Sequence, residues 1–192
     1  MDALAIINKY YPEDNELKHI LLAHSRSVAD KALWIAGKHP ELNLDKQFLE
    51  EAAMLHDIGI FMTDAEGICC FGSYPYICHG YLGADLMRKE GFPRHALVCE
   101  RHTGAGMSLQ SIIDQQLPVP HRNMVPVSLE EQVICFADKF FSKTHLDRES
   151  ASYLTGYRPI SQGMPMEWLY LTAPASMNIW TQGRAPIPIG EP

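Results

Sequence analysis

Apolar residues recur in this chain at helical spacing, and histidine and aspartate stand inside the pattern. Ile20, Leu21, His24, Val28 and Ile35 are separated by steps that return to one face of a helix. They predict a helix over roughly 15–36, with Gly37 as its stop. Phe48, Leu49, Ala52, Ala53, Leu55 and His56 repeat the arrangement over 45–57, with Gly59 as the breaker. His102 follows Val98 and Cys99, and Asp138 follows Ile134 and Cys135 with Phe141 ahead. Apolar stripes of this kind must be buried against one another, so the chain has to pack helix on helix. The predicted class is all-α.

Other signals agree. Ala3 to Tyr11 predicts a short helix stopped by Pro12. A further helix starts near His79 and ends at Gly91, and Pro93 opens the next, which closes near Gly104. A short helix is predicted over 108–116. The capping box Ser128-Leu-Glu-Glu131 opens a last helix that runs through Lys143. The stretch 61–78, rich in Gly, Tyr and Cys, reads as a loop with no hairpin pattern. Residues 1–145 form the helical domain on this reading. Residues 146–192, rich in Pro and Gly but carrying Trp168 and Trp180, are expected to wrap on it as an irregular extension.

With 192 residues the chain is one ordinary domain with an appendage. Sixteen basic residues against 23 acidic give a net charge of -7, which argues against a binder of long nucleic acid. A small phosphorylated substrate needs only a local positive site and remains open. Five cysteines, an odd number with no CxxC pair, predict reduced thiols in a cytoplasmic protein. The N-terminus has no basic stretch before an apolar run, so no secretory signal is expected. The longest stretch without Asp, Glu, Lys or Arg, 67–84, holds four glycines and a proline and is not a membrane span.

His24, His56, Asp57, His79, His102 and Asp138 require a common explanation. An ionised aspartate on a core-facing stripe is costly unless it is paired or binds a metal. Six nitrogen and oxygen donors suit divalent transition ions such as Fe, Mn, Zn, Co or Ni. His56 and Asp57, about 100° apart at a helix end, can reach two sides of one centre. Asp57 has two carboxylate oxygens and can bridge two ions. His24, His56 and Asp138 would complete one ion, and His79 and His102 the other. Such a centre is locally positive, attracts phosphate oxygens, and turns a bridging water into a nucleophile. Asp57 and His56 therefore carry the expected catalytic weight.

These residues resemble the H…HD…D signature of the HD-domain metal-dependent phosphohydrolases. His56-Asp57-Ile58-Gly59 matches the HDIG variant, and His79 and His102 match the additional histidines of binuclear members. The resemblance spans about 20–143. It implies a helical bundle with the metal site at its centre and one or two divalent ions. The implied activity is cleavage of a phosphate ester or anhydride of a nucleotide or small phosphorylated metabolite by a metal-bound hydroxide. There are departures. Ile60 stands where many binuclear members carry lysine, and His79-Gly80-Tyr81-Leu82 differs from the Gly-Tyr-Pro signature of the cyclic-dinucleotide phosphodiesterases. The run 101–109 is similar to a stretch of small HD proteins, some of which hydrolyse dinucleoside polyphosphates, but an insertion over roughly 114–126 follows it. The alternatives are a di-iron oxygenase of the same ligand type and a non-catalytic metal- or nucleotide-binding sensor. Arg101, Lys139 and Lys31 are candidate substrate contacts, with Arg122 and Lys143 as further candidates for phosphate. Phe71, Tyr74 and Tyr76 could stack a base or cover the site. The oligomeric state stays open.

Overall fold

A computed structural model describes residues 1–143. The predicted 146–192 extension and its packing lie outside the described residues. Seven α-helices run in the order α1 Ala3–Tyr10, α2 Glu16–Lys38, α3 Lys46–Leu55, α4 His79–Lys89, α5 Pro93–Arg101, α6 Leu109–Asp114 and α7 Leu129–Asp138. The fold is helical, as the stripes require. Five helices start on a side-chain cap. Asp2, Asn15, Asp45, Ser108 and Ser128 each accept a hydrogen bond from the backbone N–H three residues on. α5 instead opens on Pro93. Among the described residues no helix is long and apolar enough to cross a membrane.

α2 packs along α3 and α7, α4 along α5, and α3 also meets α1, α5 and α7. Ile7, Leu21, Leu49, Leu55, Ile58, Met87 and Ile134 are fully buried between them. A smaller cluster of Cys78, Met107, Ile112, Val119 and Met124 sits under 107–124, so part of the insertion belongs to the core. His95, which looks like a surface residue in the sequence, is buried between the rings of Phe48 and Phe92.

Two elements differ from expectation. The 61–78 stretch contains a three-stranded sheet, order β2-β1-β3. β1 (Thr63–Ala65) pairs antiparallel with β2 (Cys70–Phe71) and parallel with β3 (Tyr74–Pro75). Strands of two or three residues are too short to leave an alternating pattern. The last helix ends at Asp138 and does not reach Lys143. The N–H groups of Lys139, Phe140 and Phe141 bond three residues back, which tightens the chain into turns and swings it off the helix axis.

Gly59 is a breaker for a different reason from the one its sequence position suggests. Its φ of -86° is open to any residue. A Cβ there would lie 2.3 Å from the His79 carbonyl oxygen and 2.5 Å from the Gly83 nitrogen. The missing side chain lets the start of α4 press against the turn that follows α3.

Candidate metal centre

Six side chains from five helices or their ends converge. His24 comes from the middle of α2, His56 caps the C-terminus of α3 and Asp57 follows it. His79 is the first residue of α4, His102 the C-cap of α5, and Asp138 the last residue of α7. His24, His56 and Asp57 are completely buried, and His79 and His102 nearly so. Their donor atoms fall into two groups that could each hold a metal ion: His24, His56, Asp57 and Asp138, and Asp57, His79 and His102.

Asp57 joins the groups with different oxygens. Its Oδ2 is 3.2 Å from His24 Nε2 and 3.1 Å from His56 Nε2. Its Oδ1 is 3.4 Å from His79 Nε2 and 3.3 Å from His102 Nε2. Asp138 Oδ1 closes the first group, 2.9 Å from His24 Nε2 and 3.4 Å from His56 Nε2.

For three of the four rings the backbone decides which nitrogen faces inward. Nδ1 of His56 donates to the Ala53 carbonyl at 2.6 Å, His79 to Tyr76 at 2.6 Å and His102 to Cys99 at 2.8 Å. A proton held on Nδ1 leaves a lone pair on Nε2, the tautomer a metal requires. His79 Nε2 and His102 Nε2 then face each other across 3.1 Å, while His24, whose Nδ1 has no hydrogen-bond partner, brings its Nε2 to 3.3 Å from His56 Nε2. Opposed lone pairs repel unless positive charge lies between them. Neither oxygen of buried Asp57 has a hydrogen bond of good geometry. The donor set therefore fits divalent cations.

The electrostatics point the same way. Burial alone would strip His56 of charge, but the neighbouring carboxylates Asp57 and Asp138 outweigh it and hold the ring up at about 10. Burial pushes His79 down to about 4, which keeps it neutral. Burial would raise both aspartates. For Asp57 the charges of His56 and Lys143 outweigh it, and for Asp138 the hydrogen bonds of His24 and His56, so both stay well below the usual carboxylate range. The site asks for cationic charge at the Nε2 positions, and a proton and a metal ion compete for it.

The candidate substrate contacts are scattered. Arg101 Nη1 donates to Glu131 Oε2 at 2.9 Å. Lys31 Nζ lies 4.6 Å from the Trp34 ring centre and 4.4 Å from that of Phe140. Lys139 is the exposed C-cap of α7. Arg122 is bound to buried Glu100, which Arg88 also holds. Phe71 and Tyr74 are exposed, whereas Tyr76 stacks on His79 with ring centres 4.6 Å apart. Lys143 does meet the centre: its Nζ is 2.6 Å from Asp57 Oδ2. A continuous helix to Lys143 hides this, because five residues on, the side chain would point about 140° away from Asp138.

Comparison with known proteins places these observations in a family. A region 33% identical to this chain over 140 residues, 72% of the chain, occurs in a tRNA (cytidine(56)-2'-O)-methyltransferase of Thermoplasma volcanium. The chain spans 35% of that protein's length. It is 28% identical over 144 residues to the enzyme of the same name from Picrophilus torridus, covering 70% of this chain and 38% of that one. An uncharacterized protein of Methanocaldococcus jannaschii is 33% identical over 143 residues, 74% of this chain and 75% of its own. No solved structure matches. The HD domain model matches residues 21–142, which include all six clustered side chains. The chain belongs to the HD domain family.

Proposed function

We propose that this chain is a metal-dependent phosphohydrolase of the binuclear HDIG type, acting on a nucleotide or another small phosphorylated metabolite. The observation that carries the reading is the division of Asp57, one oxygen toward His24 and His56 and the other toward His79 and His102. A carboxylate placed this way is suited to bridging two ions. His24, His56 and Asp138 complete the first set of ligands, and His79 and His102 the second. Two divalent cations held there would supply positive charge for phosphoryl oxygens and a water of lowered pKa. The chain's own residues orient and exclude. The carbonyls of Ala53, Tyr76 and Cys99 fix three imidazoles, and the complete burial of His24, His56 and Asp57 keeps bulk water from their side of the centre.

The methyltransferase activity belongs to the named relatives, of which this chain spans about a third. It brings RNA into view as a partner, and a tRNA competitor belongs in the assay. The decisive experiment loads the purified protein separately with Mn, Co, Zn and Fe and measures phosphate release from phosphorylated metabolites and artificial esters. Release that depends on metal and on Asp57 supports the reading. A protein that holds two ions and releases phosphate from nothing overturns it. Dioxygen consumption confined to the iron form would then favour the oxygenase, and nucleotide binding without turnover the sensor.

A further inference from the structure

Beside the centre lies a cleft of about 380 Å³ whose walls include Ala65, Gly67, Ile68, Tyr76, Phe141 and Lys143. The sheet region supplies one wall, and the turns after α7 supply the other. The lining is largely apolar. Lys143 is the cation among its described residues, and Asp138 is the acid. The Lys143 side chain is 12% exposed, so its ammonium is held and not solvated. An ammonium has three donors. Lys143 Nζ forms an ion pair with Asp57 Oδ2 at 2.6 Å, and Tyr76 lines the same cleft close enough to feel its charge. Tyr76 is itself tied to the centre, since its ring stacks on His79 and its carbonyl accepts the His79 Nδ1–H. Lys143 itself lines the cleft, so its ammonium borders any oxygen placed there.

The geometry points to Lys143 as the group that binds a phosphoryl oxygen of the substrate, with Tyr76 as its positioning residue. The cleft then receives the uncharged organic part of a single-phosphate ester. This inference rests on the hydrolase reading and narrows its substrate. Beyond the cations proposed for the centre, Lys143 is the one cation among the cleft's described lining residues, and it answers one phosphoryl group. A polyphosphate chain would bring several more negative charges against Asp138 and apolar walls, where they are poorly screened. The volume is at the small end of the roughly 300–1,000 Å³ typical of ligand pockets.

The competing possibility is that Lys143 does no more than neutralise Asp57. Metal-loaded wild type, Lys143→Met, Lys143→Arg and Tyr76→Phe separate the two. Three quantities are read: bound metal per chain, the Kd for inorganic phosphate by calorimetry, and kcat and KM for phenyl phosphate and pyrophosphate. Lys143→Met should keep its metal, weaken phosphate binding at least tenfold and raise KM more than it lowers kcat. Lys143→Arg should restore much of the phosphate affinity, and Tyr76→Phe should weaken it a few-fold. Wild type should prefer phenyl phosphate to pyrophosphate. Phosphate affinity unchanged in Lys143→Met, or metal lost from it, overturns the assignment of Lys143. Equal use of pyrophosphate overturns the assignment of the cleft. If hydrolysis proceeds while phosphate binding ignores Lys143, the clamp fails and the hydrolase stands. If nothing is hydrolysed but phosphate binding still depends on Lys143, the hydrolase fails and the clamp stands.

Discussion

Gly59→Ala tests how the two halves of the centre are held together. The added methyl would sit 2.3 Å from the His79 oxygen, 2.5 Å from the Gly83 nitrogen and 2.9 Å from the Gly83 Cα, all backbone atoms. Non-bonded carbon contacts settle near about 3.5 Å, so the start of α4 must retreat by about 1 Å. Overpacking of this kind costs about 1–3 kcal/mol, and the upper end applies because no flexible side chain can yield. At φ -86° alanine adds no backbone strain, and its stiffer unfolded state returns about 0.4–1 kcal/mol. A net loss of about 2 kcal/mol lowers Tm by about 4–8 °C in a chain of this size. The functional consequence is selective. His79 leads α4, so its Nε2 moves away from Asp57 Oδ1, while His24, His56 and Asp138 come from α2, α3 and α7. The variant should therefore keep one tightly held ion and lose the second. Gly83→Ala is the milder control, because its nearest contacts are 3.1 Å and 3.2 Å and one of them is the Ile58 side chain. Thermal melting and metal analysis after gel filtration read both effects. A Gly59→Ala protein with wild-type Tm and wild-type metal content refutes the argument.

Asp57→Ala should abolish phosphate release and most of the stabilisation by metal, which is about 2.7 kcal/mol at a hundredfold excess over Kd. Melting curves with and without chelator check it, and a chelator shift equal to that of wild type would contradict the bridging role. Tyr11→Phe removes a buried hydroxyl that donates to the Ile58 carbonyl at 2.9 Å and accepts from the Phe61 N–H at 3.3 Å. It should cost about 1–3 kcal/mol in a urea titration, and a midpoint within error of wild type would show that water replaces the hydroxyl. Asp45→Ala removes the cap of α3 and should cost about 1 kcal/mol at neutral pH. The Phe48 N–H, and beyond it Arg94, hold the Asp45 carboxyl below its ordinary 3.8. A depressed carboxylate stabilises fully above its unfolded value and loses that contribution as pH falls through the folded one. The gap between variant and wild type should therefore be constant from pH 7 to about 5 and close below about 4. A gap that persists at pH 2.5 would rule out the charged cap.

The sequence pattern places each of the six donors in or at the end of a helix, and most of them on a face that also carries apolar residues. The stripe through Leu21, His24 and Val28 is legible because a helix returns to the same side every three or four residues, whatever surrounds it. The caps at Asn15, Asp45 and Ser128 are equally local, since each side chain reaches a backbone N–H three residues away. Adjacency of His56 and Asp57 already implies two sides of one centre. What no local pattern contains is the distance between faces on different helices. That Asp57 turns one oxygen to each histidine pair follows from how closely α5 approaches α3 and α4 approaches the turn after it, and the approach of α4 depends on the space at Gly59. His95 reads as polar surface until Phe48 of α3 closes over it, opposite Phe92 at the cap of its own helix. Lys143 is the clearest case. No glycine or proline lies between Asp138 and Lys143, so the sequence continues the helix and points the lysine away. The chain instead leaves the helix at Asp138, where turning back brings an ammonium to a buried carboxylate 86 residues away in sequence. Residue order sets which groups a helix presents. The packing of helix against helix sets which of those groups meet, because contacts between distant segments are decided by shape and charge across a gap the local sequence does not encode.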